Sequence, residues 1–183
     1  MGQTLNPSIQ KTKTEDIEFI KELISKEDIF LSSPSKRAVE TAKLLSTEII
    51  IDPLLNEIDY GDVEGKDISY LKKNFQNIKQ DWEQGKDPKF PNGENSLDVK
   101  TRMFAFLESL LHKNIKTNCF VFSHNVAIKC LLGEFYKIPK DKWHKINIPH
   151  LEPLEIIKTK DNHLYINLSK PQMKKIFKAF IHE

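Results

Sequence analysis

The sequence predicts an α/β fold, a three-layer sandwich in which helices flank a mostly parallel sheet. Short apolar runs alternate with patterns of helical periodicity along the chain, an order typical of a parallel sheet covered by helices. The apolar runs are Ile29–Leu31, Glu48–Ile51 and Cys119–Phe122. The 183 residues contain no repeat, low-complexity segment or Gly/Ser-rich linker, so we expect residues 1–183 to form a single domain.

The helices are predicted from apolar spacing and from residues that favour helix starts. They cover residues 14–25, 34–45, 67–80 (weakly), 96–111, a segment that begins at 125, and a C-terminal segment of about 171–182. Ser33 is the expected N-cap of the second helix, with Pro34 at its first position. Ser96 is the expected cap of the fourth. Residues 154–158 and 163–168 are predicted to pair as a hairpin.

The balance of charges argues against a nucleic-acid partner. Lys and Arg number 28 and Asp and Glu 26, which gives a formal net charge of +2, and the two signs are interleaved. Only two of the basic residues are arginines, Arg37 and Arg102. Because arginine grips carboxylate or phosphate with two donors where lysine offers a point charge, both positions are candidates for a specific role.

Cysteine usage and hydropathy indicate a cytoplasmic protein. Cys119 and Cys130 are too few for a disulfide framework, which favours a reducing compartment. No stretch approaches the ~18 apolar residues of a membrane span, and the N-terminal segment lacks the apolar core of a secretory signal. The predicted C-terminal helix has a basic face and an apolar face, typical either of membrane or partner docking or of packing on the chain's own sheet; we expect the second, and no membrane partner.

Two strand-to-helix junctions carry residues suited to anion binding. Ligands of parallel sheets collect at the carboxyl ends of the strands. Arg37 lies in the first turn of the helix after Ile29–Leu31, where a cation opposes the helix dipole unless an anion lies between them. His124 follows Cys119–Phe122 and could donate to a phosphoryl oxygen or move a proton. If the two strands are neighbours, Arg37 and His124 converge on one point.

Each of these residues also has an ordinary structural interpretation. Arg37 could be a surface arginine paired with Glu40, and His124 could be a half-buried histidine without a chemical role. The segment 55–66 holds four carboxylates around two glycines. It is either a solvated acidic turn or the source of a general acid, whose pKa burial and a nearby anion would raise.

Four blocks of the chain follow one another in the order of a known motif set. The block Ser32–Ala42 resembles SSP-x-x-RA-x-ETA, Leu55–Lys66 resembles L-x-E-x-x-[FY]-G-x-x-EG, Pro91–Ser96 with Arg102 resembles P-x-GES…R, and Val121–His124 resembles V-x-SH. These are motifs of the histidine phosphatase superfamily, the phosphoglycerate mutase-like enzymes. The resemblance covers about residues 30–135, with Asn95 where the family often has Ser and Asn125 where it usually has Gly.

The resemblance implies hydrolysis of a small phosphorylated substrate through a phosphohistidine, without a metal or other cofactor. Arg37 and His124 would hold the phosphoryl oxygens, and Glu57 would be the proton donor to the leaving group, with Glu64 the second candidate. Further phosphate-binding positions implied by the family pattern are Gly2, Gln3, Thr4 and Asn125. Arg102 is expected to have a structural role, on the buried side of helix 96–111 or pairing with the 56–66 segment, and direct substrate contact is the alternative. Phosphoglycerate mutase-type transfer is the alternative activity, and the shortness of the chain favours a phosphatase.

The chain departs from the family at its first block. The family's first strand ends in R-H-G-[EQ]-T, whose histidine attacks phosphorus, whereas this chain opens Met1-Gly2-Gln3-Thr4. Met1 thus stands where the nucleophile is expected, and the first strand is missing or incomplete. Either the chain is truncated, or it is a pseudophosphatase that binds a phosphorylated ligand; the retained Gly-Gln-Thr and the other site residues favour truncation. The natural substrate and the oligomeric state stay open.

Overall fold

The computed structural model describes residues 2–3, 6–9, 15–113 and 115–180. Its α-helices are Glu15–Lys21 (α1), Lys36–Lys43 (α2), Ile68–Asn74 (α3), Gln76–Glu83 (α4), Ser96–His112 (α5), Asn125–Phe135 (α6) and Lys170–Ile176 (α7). Its strands are Ile29–Ser32 (β1), Ile50–Ile51 (β2), Cys119–Phe122 (β3), Glu155–Lys158 (β4) and Leu164–Asn167 (β5). Within these ranges, no helix has both the length and the apolar character needed to cross a membrane.

The sheet confirms the predicted fold class. β1 lies between β2 and β3 and is parallel to both. The register places Ser32 beside Phe122, so β1 and β3 end at the same level of the sheet. β4 and β5 form the predicted antiparallel hairpin, with Asn162 at φ 61° in the turn, a conformation that asparagine tolerates better than most residues.

Helices cover both faces of the parallel sheet. Leu31 faces the main core, which α5 and α6 fill with Val99, Phe106 and Leu132. Phe30 is also buried but does not belong to that cluster, because successive side chains of a strand point to opposite faces. Its face is covered by α2, which packs against β1 and β3. The three layers place the carboxyl ends of β1 and β3 at one open edge.

The prediction that Cys119–Phe122 is a buried strand was right in its bounds and wrong in its burial. Val121 is 40% exposed and the other three residues are half-buried. The reason is that β3 pairs only with β1 among the described residues. The outer edge of β3 therefore presents apolar surface. β2 is shorter than the predicted run from Glu48, and both of its residues are exposed.

Two predicted helix caps were displaced by one or two residues. The cap position of α2 is Ser35 rather than Ser33, because Ser33 still belongs to the strand ladder, in which its N–H donates to the Phe122 carbonyl. The cap of α5 is Asn95 rather than Ser96: the Asn95 side chain accepts the Asp98 N–H and the Asp98 carboxylate accepts the Asn95 N–H. This reciprocal pair is a capping box.

The C-terminal helix is shorter than the predicted 171–182. α7 ends at Ile176, and a 3₁₀ turn follows at Lys178–Phe180. The break brings the ring of Phe180 against that of Phe177, with centroids 6.1 Å apart. Ile176 is fully buried and Phe177 nearly so, which confirms that this segment packs on the chain's own core. Residues 181–183 lie outside the described part. The weakly helical segment 67–80 is two short helices, α3 and α4.

Candidate active site

Two strand-to-helix junctions meet at the carboxyl end of the sheet. The Ser33 N–H donates to the Phe122 carbonyl at 3.1 Å, which continues the ladder between β1 and β3 past the end of β1. Arg37 follows in the first turn of α2, and His124 is the residue before α6. The convergence expected from the sequence therefore follows from strand adjacency.

His124 is a buried imidazole with one hydrogen-bond partner among the residues that the structure describes. The side chain is 6% exposed, and its Nε2 lies 2.7 Å from the Ser33 hydroxyl. Burial, together with the positive charges of Arg37 and Arg102, lowers the pKa of His124 to about 3. The ring is neutral at pH 7 and can donate only from the one nitrogen that carries its proton.

Glu57 binds the N-terminus of α6. Its carboxylate accepts the N–H groups of Ile58 at 3.0 Å, Val126 at 3.2 Å and Ala127 at 3.3 Å. The side chain is buried, and burial raises the pKa of Glu57 above its usual value, although these N–H groups and the charge of Arg37 oppose the shift. A carboxyl in this state can hold a proton nearer to neutral pH than a solvated glutamate, as a general acid requires.

Arg37 lies close enough to both groups for its charge to affect their titration. The guanidinium lowers the pKa of His124 and opposes the raised pKa of Glu57. Its Nη2 donates to the Gly2 carbonyl at 3.1 Å. Glu40, the alternative partner weighed for Arg37, accepts the Ile9 N–H and lies 3.8 Å from the Lys36 ammonium.

Gly2 and Gln3 lie beside the predicted site residues, and their contact with phosphate stays a prediction. Gly2 is buried, and its N–H donates to Glu64 Oε1 at 2.8 Å. A side chain at this position would collide with the Glu64 carboxylate. Gln3 Nε2 donates to the Glu57 carbonyl at 2.9 Å, so this side chain supports the backbone of the acid. Thr4, the next predicted position, lies outside the described residues.

The side chains of Glu64 and Asn125 each form a hydrogen bond with the main chain. Glu64 Oε1 accepts the Gly2 N–H, so this carboxylate holds the N-terminal segment. Asn125 Nδ2 donates to the Ile148 carbonyl at 3.3 Å, so its side chain points to the segment that follows the 3₁₀ turn Lys140–Lys145. A contact of Asn125 with phosphate stays a prediction.

Arg102 has the structural role that the sequence indicated. Its Nε and Nη2 bind the two oxygens of Glu94 at 2.7 and 3.0 Å. The remaining donations reach the carbonyls of Leu54, Asn56 and Glu57 at 2.7–3.1 Å. Because Glu94 Oε2 also accepts the Asp59 N–H, the ion pair holds the chain on both sides of Glu57.

Sequence reasoning missed the contact of Ser33 with His124. The two residues are 91 positions apart, and no local pattern connects them. The signal available was the second serine of the Ser32–Ala42 block, which was interpreted as a helix cap.

Comparisons with known proteins identify the family. Residues 14–170 match the model of the histidine phosphatase superfamily, branch 1, and the chain belongs to this family. It is 29% identical over 114 residues to a probable phosphoglycerate mutase of Escherichia fergusonii and 31% identical over 124 residues to a putative phosphoserine phosphatase of Hydrogenobacter thermophilus. These segments cover 60% and 63% of this chain and 53% and 59% of the relatives. The chain thus spans little more than half the length of the curated relatives that it matches.

Solved structures of low sequence identity share the fold. A putative α-ribazole-5′-phosphate phosphatase from Escherichia coli superimposes with a TM-score of 0.72 at 20% identity, covering 91% of this chain and 85% of that one. A mycobacterial glucosyl-3-phosphoglycerate phosphatase, solved with vanadate, gives 0.68 at 16% identity over 92% and 89% of the two chains. At these identities the likeness is one of fold.

Proposed function

We propose that the site is built for hydrolysis of a small phosphate monoester through a phosphohistidine, without a metal or other cofactor. The observation that supports this most directly is the position of the Glu57 carboxyl, bound to the first turn of α6 next to His124 and within the field of Arg37. The family and its phosphatase and mutase relatives support the same reaction class.

The proposed roles follow from charge and protonation. Arg37 and the N–H of His124 bind the phosphoryl oxygens and stabilise the charge that builds on them. A histidine nitrogen attacks phosphorus, the bond to the leaving oxygen breaks, and Glu57 gives that oxygen its proton. Water then attacks the phosphohistidine and passes a proton to Glu57, which releases inorganic phosphate and the free imidazole.

The nucleophile of this scheme has to be a histidine other than His124. The family motif places it at the position of Met1, immediately before Gly2, and a thioether cannot carry a phosphoryl group through this cycle. We therefore propose that the chain as given binds phosphorylated ligands without turnover. A strand ending in Arg-His and joined to Gly2 would supply the missing group, and the open edge of β3 offers a place for it to pair.

An activity measurement with two forms of the protein tests the proposal. The chain as given should not hydrolyse p-nitrophenyl phosphate or phosphoserine. A form in which an extended apolar segment ending in Arg-His replaces Met1 should hydrolyse them and give an acid-labile phosphoenzyme on rapid quench. The matched control ends the same segment in Arg-Ala. Turnover by the chain as given that His124→Ala abolishes, or no phosphoenzyme in the extended form, would contradict the scheme.

The binding-only alternative is favoured by Met1 itself. A pseudophosphatase would keep the anion site and bind vanadate, while the extended form would stay inactive. Mutase-type transfer is the third possibility, and transfer of phosphate to phosphoglycerate rather than to water would identify it. For each of these three functions we propose that residues 1–183 form one domain and that the partner is a small phosphorylated molecule. We also propose a cytoplasmic location, because a reducing compartment suits the two free thiols, Cys119 and Cys130.

A further inference from the structure

The Ser33 hydroxyl and the His124 imidazole are in hydrogen-bond contact, and the backbone of each residue is itself held by hydrogen bonds. Oγ lies 2.7 Å from Nε2, and Ser33 is fully buried. The Ser33 N–H also donates to the Phe122 carbonyl, so both the main chain and the side chain of Ser33 are tied to the end of β3. On the other side, the His124 carbonyl accepts the Ile128 N–H in the first turn of α6.

The direction of the proton in this contact follows from the other partners of the hydroxyl. Ser33 Oγ accepts the Ser35 N–H at 3.3 Å and has one proton to donate. Among the described residues, its only hydrogen-bonded acceptor is His124 Nε2. If Nε2 carried the imidazole proton, the serine proton would be buried without an acceptor, which is unfavourable. Ser33 therefore donates to Nε2, and the proton of the neutral ring lies on Nδ1.

We propose that Ser33 is a positioning residue that fixes His124 as the Nδ1–H tautomer and so presents that N–H to the phosphoryl group. Nδ1 of His124 has no hydrogen bond within the described part of the chain. In that part, the one polar side-chain atom that is both buried and without a partner is Glu64 Oε2, so His124 Nδ1 retains some exposure. The role in anion binding rests on the proposed function, whereas the tautomer does not. In this tautomer His124 is neutral and its Nε2 is occupied by Ser33, so Glu57 is the group that protonates the leaving oxygen.

The tautomer can be read by NMR without any activity. Long-range ¹H–¹⁵N correlation of imidazole-labelled protein at pH 7 reports which nitrogen of His124 is protonated, and His124→Gln assigns the signal. Ser33→Ala removes the donor at almost constant volume. Ser32→Ala is the matched control, because Ser32 is equally buried and its hydroxyl donates to the Ser33 carbonyl instead of to the ring.

Two readouts decide the proposal. We expect Nδ1–H in the parent protein, a partial or complete change to Nε2–H in Ser33→Ala, and a fall of ~10-fold in vanadate affinity in that variant, with neither change in Ser32→Ala. A proton on Nε2 in the parent, or a Ser33→Ala variant that keeps both the tautomer and the affinity, would overturn it. The expected tautomers without vanadate binding by the parent would support the control by Ser33 and contradict the proposed function.

Discussion

The two arginines of this chain, Arg37 and Arg102, both lie near Glu57 but interact with different groups. Arg102 makes five donations, all to the protein itself: two to Glu94 and three to the carbonyls that precede and include Glu57. Arg37 lies at the first turn of α2, where its charge acts on both Glu57 and His124. One arginine holds the backbone of the proposed acid, and the other faces the groups proposed to bind the anion. In a chain with 28 basic residues and two arginines, Arg102 uses the planar set of donors that lysine lacks, and the proposed anion binding would use the same donors of Arg37.

The largest effect should come from the removal of Arg102. Arg102→Ala removes the ion pair with Glu94 and the donations to the carbonyls of Leu54 and Asn56, while the Glu57 carbonyl keeps Gln3 as a donor. We expect a loss of about 3–5 kcal/mol in the free energy of unfolding, or about 6–20 °C in melting temperature. Urea unfolding followed by circular dichroism measures it. Lys100→Ala, on the same helix, should change stability by less than about 0.5 kcal/mol; equal effects of the two variants would remove the distinction drawn here.

The pH dependence of stability should reveal the buried, neutral His124. The pKa of His124 is about 3 in the folded protein, against its ordinary value of 6.5. Because the unfolded chain then binds a proton that the folded chain does not, the parent should lose stability as pH falls below 6.5, by at most about 1.4 kcal/mol per pH unit. Well above pH 6.5 the imidazole is neutral in both the folded and the unfolded chain, so His124 no longer makes the free energy of unfolding depend on pH.

His124→Gln isolates this contribution from the other titrating groups. Between pH 6.5 and 5 the parent should lose up to about 2 kcal/mol relative to the variant. Glu57, whose raised pKa gives the opposite trend because protonation favours its folded state, is present in both proteins and cancels in the difference. Parallel curves for the two proteins would show that the imidazole titrates normally and is not buried as described.

Arg37→Lys should affect anion binding more than stability. The substitution keeps the charge and loses the planar pair of donors, so we expect about tenfold weaker vanadate binding, equivalent to about 1.4 kcal/mol. Isothermal titration at constant pH measures the affinity, and Arg102→Lys serves as the comparison. If Arg102→Lys weakens binding more than Arg37→Lys while remaining folded, the roles of the two arginines are reversed.

The smallest effect is expected at Asn125. Its side chain donates to the Ile148 carbonyl, so Asn125→Ala keeps the backbone N–H at the start of α6 and should change vanadate affinity by less than about threefold, or about 0.7 kcal/mol. A larger loss in the same titration would mean that the side chain turns into the site when an anion binds.

The sequence predicted that Arg37, Glu57 and His124 lie close together, because each falls in a motif block at the end of a strand or in the segment after one. Their role in binding phosphate stays a prediction. The cap of α5 was also within reach, since Asp98 stands three residues after Asn95 and completes a capping box. The side chain of Ser96, in contrast, is not followed three residues later by a Glu or Gln that could complete such a box.

Other features depend on contacts that no local pattern contains. The exposure of Val121 reflects which strands lie beside β3, whereas its own residues are those of a buried strand. The contact of Ser33 with His124 joins residues 91 positions apart. The guanidinium of Arg102 can use all its donors only because the fold brings Glu94 and the carbonyls of residues 54–57 to the same face of its helix. The sequence indicated its structural role, while the number and geometry of its bonds required the fold.

A crystal structure of the protein with bound orthovanadate tests the central claim most directly, because it locates the anion relative to all three groups at once. We predict one vanadate at the carboxyl end of the parallel sheet, with oxygens within hydrogen-bond distance of the Arg37 guanidinium and His124 Nδ1 and the Glu57 carboxyl beside the leaving-group position. Vanadate bound elsewhere, or held at this edge without contact to Arg37 and His124, would contradict the account.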